Sequence, residues 1–244
     1  MRRDAITALH SRAMIDRRVV LASALYLGGL GLTPAAFASA RLRPAVFRRD
    51  PFLLGVASGY PHPNGMVLWT RLIADLLAPD GGVGADDIEV GFEIALDPGF
   101  RQTVQTGLTR AEAIFAHSVH LEVRGLEPGR SYYYRFRAGE HRSAVGRTWT
   151  CPAAGKPQLP LRIGVASCQH YEQGYYHAYR HMLETGVDLI AHLGDYIYEG
   201  NTAEPVRRHD RGECQSLADY RLRYAWYRSD PTLREAHAAC PWVL

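Results

Sequence analysis

Between residues 45 and 151 the chain alternates short apolar and β-branched runs with turn residues. The runs fall at 66–72, 88–96, 114–123, 131–138 and 147–151. Short strands recurring at this spacing predict an all-β unit over 45–151, a β-sandwich rather than a barrel or a helical domain. In the 114–123 run, Phe115, Ala116, Ser118 and His120 alternate imperfectly with neighbours of other polarity, so that strand is expected to be half-buried. Tyr132, Tyr133 and Tyr134 stand in a row, and strand alternation sends neighbours to opposite faces. They are therefore read as core and surface β-formers, not as a flat sugar-binding platform.

Residues 152–160 carry Pro, Ala, Gly and Lys without periodicity and read as a linker. Beyond it the period changes. The stretches 161–168 and 187–195 read as strands, while Tyr175, Ala178, Tyr179, Met182 and Leu183 recur at helical spacing between them and Gly186 takes the C-terminal cap position. Strand, helix and strand in this compass predict a βαβ unit with parallel strands, which end on the same edge of the sheet. That edge is where open α/β sheets bind ligands, so the topology delivers Cys168 and Asp195 to one place. Tyr198 follows three positions after the aspartate. A carboxylate able to bridge two cations, flanked by a phenolate and a thiolate, suits a trivalent iron beside a second, harder divalent ion. Such a pair, about 3.5–4 Å apart, activates water for in-line phosphoryl displacement. Helices are expected over 216–227 and 231–239, and 241–244 opens a further strand.

Charge narrows the classes. Among 244 residues, 28 Lys and Arg stand against 25 Asp and Glu. Residues 1–40 hold five Arg and two Asp, which leaves 23 against 23 in the remainder. A body with no net positive charge lacks the electrostatic footprint of a nucleic-acid binder. The local excess reads as an export signal: Arg17 and Arg18 precede an apolar run of about 14 residues over 19–32, followed by Pro34 and the small Ala36, Ala38 and Ala40. The run falls short of the ~20 residues of a bilayer span, so no permanent membrane span is expected. Cleavage is expected after Ala38 or Ala40, with Met14 an alternative start. The Arg pair, Leu21 and the diluting Gly28, Gly29 and Gly31 resemble a twin-arginine signal, a loose match at Asp16, Val19 and Val20.

Two resemblances sharpen the picture. The stretch Gly125-Leu126-Glu127-Pro128-Gly129-Arg130-Ser131-Tyr132 resembles the tyrosine corner of fibronectin type III domains, in which the Tyr hydroxyl bonds back to backbone a few residues upstream. Ala166-Ser167-Cys168-Gln169, followed by His192-Leu193-Gly194-Asp195-Tyr196-Ile197-Tyr198-Glu199, resembles the alkaline phosphatase D (PhoD-like) family of exported metallophosphoesterases. The stretches Gly55-Val56-Ala57-Ser58-Gly59 and Val67-Leu68-Trp69-Thr70-Arg71 are similar to that family's N-terminal domain. The resemblance implies an α+β multidomain fold: a signal over 1–40, a fibronectin III-like sandwich over 45–151, a linker over 152–160, and the first βαβ part of an α/β metallophosphatase domain over 161–244. It implies that Asp195 bridges two metals, Tyr198 binds ferric iron and Cys168 replaces the Asp of most such enzymes. The implied cofactors are iron (Fe3+) and calcium or another divalent metal. The implied reaction is hydrolysis of phosphate monoesters and diesters by a dimetal-activated water. The implied partners are a phosphate ester and the twin-arginine translocation machinery, with an exported product in the periplasm, at the cell surface or secreted.

The family's Asn-His-Asp/Glu-type motif and later His motifs would lie past Leu244, so the chain is expected to be an inactive or unstable front part, with an unpaired sheet edge and an uncovered apolar face. An extracellular β-sandwich binding module with a vestigial remnant is the alternative from another class. A cysteine hydrolase centred on Cys168, beside Gln169 and His170, is a third. Glu199 and His192 are given no assigned role, a supporting or structural duty being preferred to direct ligation. His177 and His181 lack the Glu of a zinc-protease pair, since Ala178 stands in its place. Arg207, Arg208 and Arg211, with His209, read as a solvated loop. Cys151, Cys168, Cys214 and Cys240 form no C-x-x-C motif, and export would permit disulfides.

Overall fold

The computed structural model describes residues 46–244 except 79, 157–159, 210 and 211. The expected signal over 1–40 and part of the linker over 152–160 therefore lie outside the described residues, as does Arg211. The chain beyond residue 41 forms one compact unit.

The first part holds strands β1 (Val56–His62), β2 (Gly65–Arg71), β3 (Ile88–Ala95), β4 (Thr103–Ala111), β5 (Ser118–Arg124), β6 (Ser131–Ala138), β7 (His141–Arg142) and β8 (Gly146–Trp149). They form two packed layers. Strands β5, β2 and β1 lie in one sheet, and β4, β3, β6 and β7 in the other, with β8 pairing β6. Val56, Met66, Leu68, Val119 and Val123 of the first layer bury against Val90, Phe92, Ile94, Tyr132 and Phe136 of the second. In β6 the buried and more exposed residues alternate, so Tyr132 and Tyr134 point into the core and Tyr133 does not. The Tyr132 hydroxyl donates to the Glu127 carbonyl at 3.2 Å and accepts the Glu127 N–H at 3.0 Å, which pins the entry into β6.

The run expected to begin a strand at 114 does not. Residues Ala113–Phe115 form a 3-10 turn, in which Ile114 is 72% and Phe115 61% exposed. Asp87 Oδ1 accepts the Ala113 N–H at 3.0 Å, and Ala116 and His117 both take positive φ, so the chain reverses before β5 can start. Two further strands lack the apolar run that would announce them. Strand β4 is polar and mostly exposed, and β1 carries Gly59 and Pro61, residues usually confined to edges and bulges.

Strand β1 is nevertheless central. The second part contributes β9 (Ile163–Ala166), α1 (His177–Glu184), β10 (Leu189–His192), α2 (Leu217–Arg228), α3 (Pro231–Ala239) and β11 (Trp242–Val243). One six-stranded sheet runs β5-β2-β1-β11-β10-β9, so the two parts are not separate packing units. Their junction is the parallel pairing of Gly59 with Trp242. A Cβ on Gly59 would lie 2.8 Å from the Trp242 carbonyl oxygen, closer than side chains tolerate, which explains a glycine in the middle of the sheet.

Helices α1 and α3 cover one face of β9–β11. Tyr179, Val187, Ile190, Leu233, Ala236 and Trp242 form its core. On the opposite face Ile163 is 51% and Val165 57% exposed, and the outer edge of β9 has no strand partner among the described residues. Helix α2 starts with a capping box between Ser216 and Asp219, and α3 with Pro231 behind an Asp230 cap. No helix among the described residues is long and apolar enough to cross a membrane.

Replacing Tyr132 by Phe removes the Glu127 bonds while keeping the buried ring. A loss of about 1–2 kcal/mol is expected from the midpoint of chemical unfolding. An unchanged midpoint would show that the corner contributes nothing.

Candidate functional site

Strands β9 and β10 pair in parallel from Ile163↔Leu189 to Ala166↔His192. The main-chain bonding continues after both strands have ended: Leu193 N–H donates to Ala166 O at 2.8 Å, Cys168 N–H to Gly194 O at 3.1 Å, and Gln169 N–H to Asp195 O at 3.1 Å. Cys168 and Asp195 both adopt left-handed backbone, at φ +57° and +52°. Aspartate tolerates this region and cysteine rarely visits it, so the turn carries strain of about 1–3 kcal/mol per residue that the crossed bonds hold in place.

The consequence is convergence at one oxygen. Cys168 Sγ lies 3.6 Å from Asp195 Oδ2, and the Tyr198 hydroxyl donates to the same oxygen at 3.1 Å. Partial burial, with hydrogen bonds to Asp195 and Cys168, pushes the Tyr198 phenol up to about 12. His170 stacks on the Tyr198 ring, centroids 4.8 Å apart, while its Nδ1 accepts the Glu172 N–H at 3.2 Å. His170 is thus committed to Tyr198 and Glu172. Gln169 is buried, donating to Tyr196 O and accepting the Tyr179 hydroxyl at 2.6 Å. Neither neighbour forms the activated Cys/His arrangement that a cysteine hydrolase needs.

Cys168 and Asp195 are exposed, and Asp195 makes no ion pair among the described residues. An oxygen ringed by a thiol, a phenol and no guanidinium invites a cation, since each donor binds best when deprotonated. The donor set therefore fits a hard or borderline cation as part of a coordination shell. Among the described residues no group of three His, Cys, Asp or Glu side chains is placed to hold a metal, and the third polar group at this oxygen is the Tyr198 phenol. All four cysteines are free.

The surrounding residues fall into different roles. His192 is buried, with Nε2 unpartnered and its ring 5.2 Å from that of Tyr196. Glu199 is exposed, and its carbonyl accepts the Cys214 N–H. Arg207 and His209, expected in a solvated loop, are instead anchored. The Arg207 side chain is only 11% exposed, pairs with Asp230 Oδ2 at 2.5 Å and lies 3.7 Å over the Tyr171 ring. His209 is buried beside Glu172 at 3.6 Å. Arg208 is exposed. Burying a guanidinium demands a carboxylate and aromatic faces, which are distant in sequence and give no local signal. Likewise unannounced are Arg223, which donates to Tyr198 O at 2.5 Å, and Tyr227, whose hydroxyl accepts the Tyr198 N–H at 3.2 Å.

Residues 36–152 match the model of the PhoD-like phosphatase N-terminal domain, and residues 163–244 that of the PhoD-like phosphatase. The chain belongs to the PhoD-like phosphatase family. Alkaline phosphatase D of Bacillus subtilis (strain 168) is 46% identical over 239 residues, covering 94% of this chain and 41% of the relative. A solved structure described as the structure of PhoD matches with a TM-score of 0.78 and 48% identity over 81% of this chain and 39% of that one. The chain thus spans about two-fifths of the length of these PhoD-like relatives.

Behind the site, His237 stacks on Trp242 at 3.7 Å, and its Nε2 lies 2.8 Å from the Tyr196 hydroxyl. Burial, then the nearby Arg228 and His192, holds its imidazole well below the usual 6.5. The unfolded chain takes up this proton first as pH falls. The resulting stability is therefore complete above about pH 6.5 and is lost as pH drops toward the folded value. The melting temperature is expected to fall between about pH 7 and pH 5, and His237→Phe to flatten that slope. Equal slopes in both proteins would refute the assignment.

Proposed function

We propose that this chain is the N-terminal portion of an exported, metal-dependent phosphoric ester hydrolase, with Cys168, Asp195 and Tyr198 as ligands from one side of a metal pair. The observation that carries the reading is the meeting of Cys168 Sγ and the Tyr198 hydroxyl at Asp195 Oδ2, on the carboxyl edge of a parallel strand pair in a PhoD-like chain. Iron (Fe3+) is the ion such a thiol and phenol would favour, with calcium or another divalent metal sharing the carboxylate. When bound, the pair supplies an activated water and withdraws charge from the phosphoryl oxygens. Asp195 is fixed by its left-handed turn so that its Oδ2 faces both other donors. Tyr198 and Cys168 each give up a proton on binding, and the exposed edge leaves room for a phosphate mono- or diester. Three donors are fewer than the four to six of a complete shell, and we propose that the 244-residue chain alone does not turn over substrate.

The same reading takes the two N-terminal sheets as a fibronectin type III-like sandwich and residues 161–244 as the first βαβ part of the phosphatase domain. The Tyr132 bonds to Glu127 support the former, and the parallel pairing of β9 with β10 the latter. Export through the twin-arginine machinery, to the periplasm, cell surface or medium, rests on the Arg17-Arg18 segment and its apolar run.

Ferric iron added to the purified chain should give a visible phenolate-to-iron absorption band. Tyr198→Phe should abolish the band, and Asp195→Asn should weaken iron binding by about tenfold or more. A colourless protein, or a band that survives Tyr198→Phe, would end this assignment. Turnover of an aryl phosphate by the 244-residue chain would separately disprove its inactivity.

A further inference from the structure

The segment joining Asp195 to Tyr198 belongs to no helix or strand, yet Tyr198 is held on three sides. Its N–H donates to the Tyr227 hydroxyl at 3.2 Å, and its carbonyl accepts Arg223 Nη1 at 2.5 Å. Its ring stacks on His170. Arg223 and Tyr227 are four residues apart and so share one face of α2. Both are buried. Arg223 also donates to Gly200 O at 3.2 Å and Gly212 O at 2.6 Å, so a single guanidinium closes both the turn after Tyr198 and the return of the chain toward α2. A buried guanidinium that bridges several main-chain carbonyls fixes backbone geometry more than it adds net stability.

We propose that Arg223 and Tyr227 form a two-point clamp on the Tyr198 main chain and are the positioning residues that set the phenol against Asp195. Grasping a residue through its amide and its carbonyl removes the freedom of the main chain on both sides of its Cα. Only the side-chain torsions remain, and the His170 stack restricts these. The clamp thus converts an irregular loop into a rigid platform for one donor, as a ligand site requires. Its use rests on the metal-centre reading above, but the placement of the ring does not.

The test uses the 244-residue chain with ring-labelled tyrosine, the Tyr198 signals being assigned through Tyr198→Phe. The metal-free chain should show a nuclear Overhauser contact between the Tyr198 and His170 rings. Tyr227→Phe, which removes only the acceptor oxygen, and Arg223→Lys, which cannot reach all the carbonyls, should each lose that contact. Each should also lower ferric affinity about tenfold, read from the visible band. Leu222→Ala, a buried truncation on the same helix, controls for general destabilisation and should keep both. The clamp is overturned if the native chain lacks the ring contact, if Tyr227→Phe and Arg223→Lys retain contact and affinity, or if Leu222→Ala loses them equally. If the contact responds as expected but no chain binds ferric ion, the clamp stands and the metal reading falls.

Discussion

The arrangement depends on a main-chain ladder that outlasts its strands. Parallel pairing of β9 with β10 brings two chain exits side by side, and the bonds Cys168 N–H to Gly194 O and Gln169 N–H to Asp195 O keep them together for one more rung. Without that rung the two exits would diverge as ordinary loops. With it, a cysteine and an aspartate distant in sequence share a surface, each in a left-handed conformation that turns its side chain back toward the other. The ladder also explains why the strain is tolerated: a residue held by hydrogen bonds from its neighbours on both strands cannot relax alone.

The two-layered β part is not an independent appendage to this site. It contributes to the same sheet, through the Gly59–Trp242 pairing, and it grips α2 as well. Arg228, fully buried at the end of α2, donates from Nη2 to the carbonyls of Leu54 and Val56 and lies 4.8 Å over the Trp69 ring. Arg71 reaches the carbonyl of Arg221 on the same helix at 2.8 Å. Helix α2 therefore has two sets of attachments, Arg71 and Arg228 toward the β layers and Arg223 and Tyr227 toward Tyr198. A disturbance at the β layers has a covalent and hydrogen-bonded route to Tyr198.

How far this could be read from residues alone follows from the range of the interactions. Strands β2, β3 and β6 announce themselves because their apolar residues alternate within a few positions. The edge strand β4 does not, since it buries little, and β1 does not, since its glycine serves a carbonyl contributed by Trp242 near the other end of the chain. Cys168 and Asp195 are legible as neighbours because parallel topology alone dictates where strands end. Arg207, Arg223 and Tyr227 are not. Their partners are carbonyls and rings set by tertiary packing, and an arginine's composition is the same whether it is solvated or caged.

That placement of the arginines bears on the chemistry. Arg207 pairs with Asp230 and lies over Tyr171, Arg223 donates to carbonyls around Tyr198, and Arg228 Nη2 donates to those of Leu54 and Val56. Three cations near the site are thus sequestered, and none pairs with Asp195 among the described residues. A guanidinium there would neutralise the carboxylate and lower its attraction for a metal by simple competition. With these arginines engaged elsewhere, no guanidinium pairs with Asp195 beside Cys168 and Tyr198 among the described residues. Burial first, and then the hydrogen bonds to Asp195 and Cys168, raise the Tyr198 phenol. A carboxylate left without a cationic side chain beside it is what the metal centre proposed above would require, since a multivalent cation would then supply the missing charge.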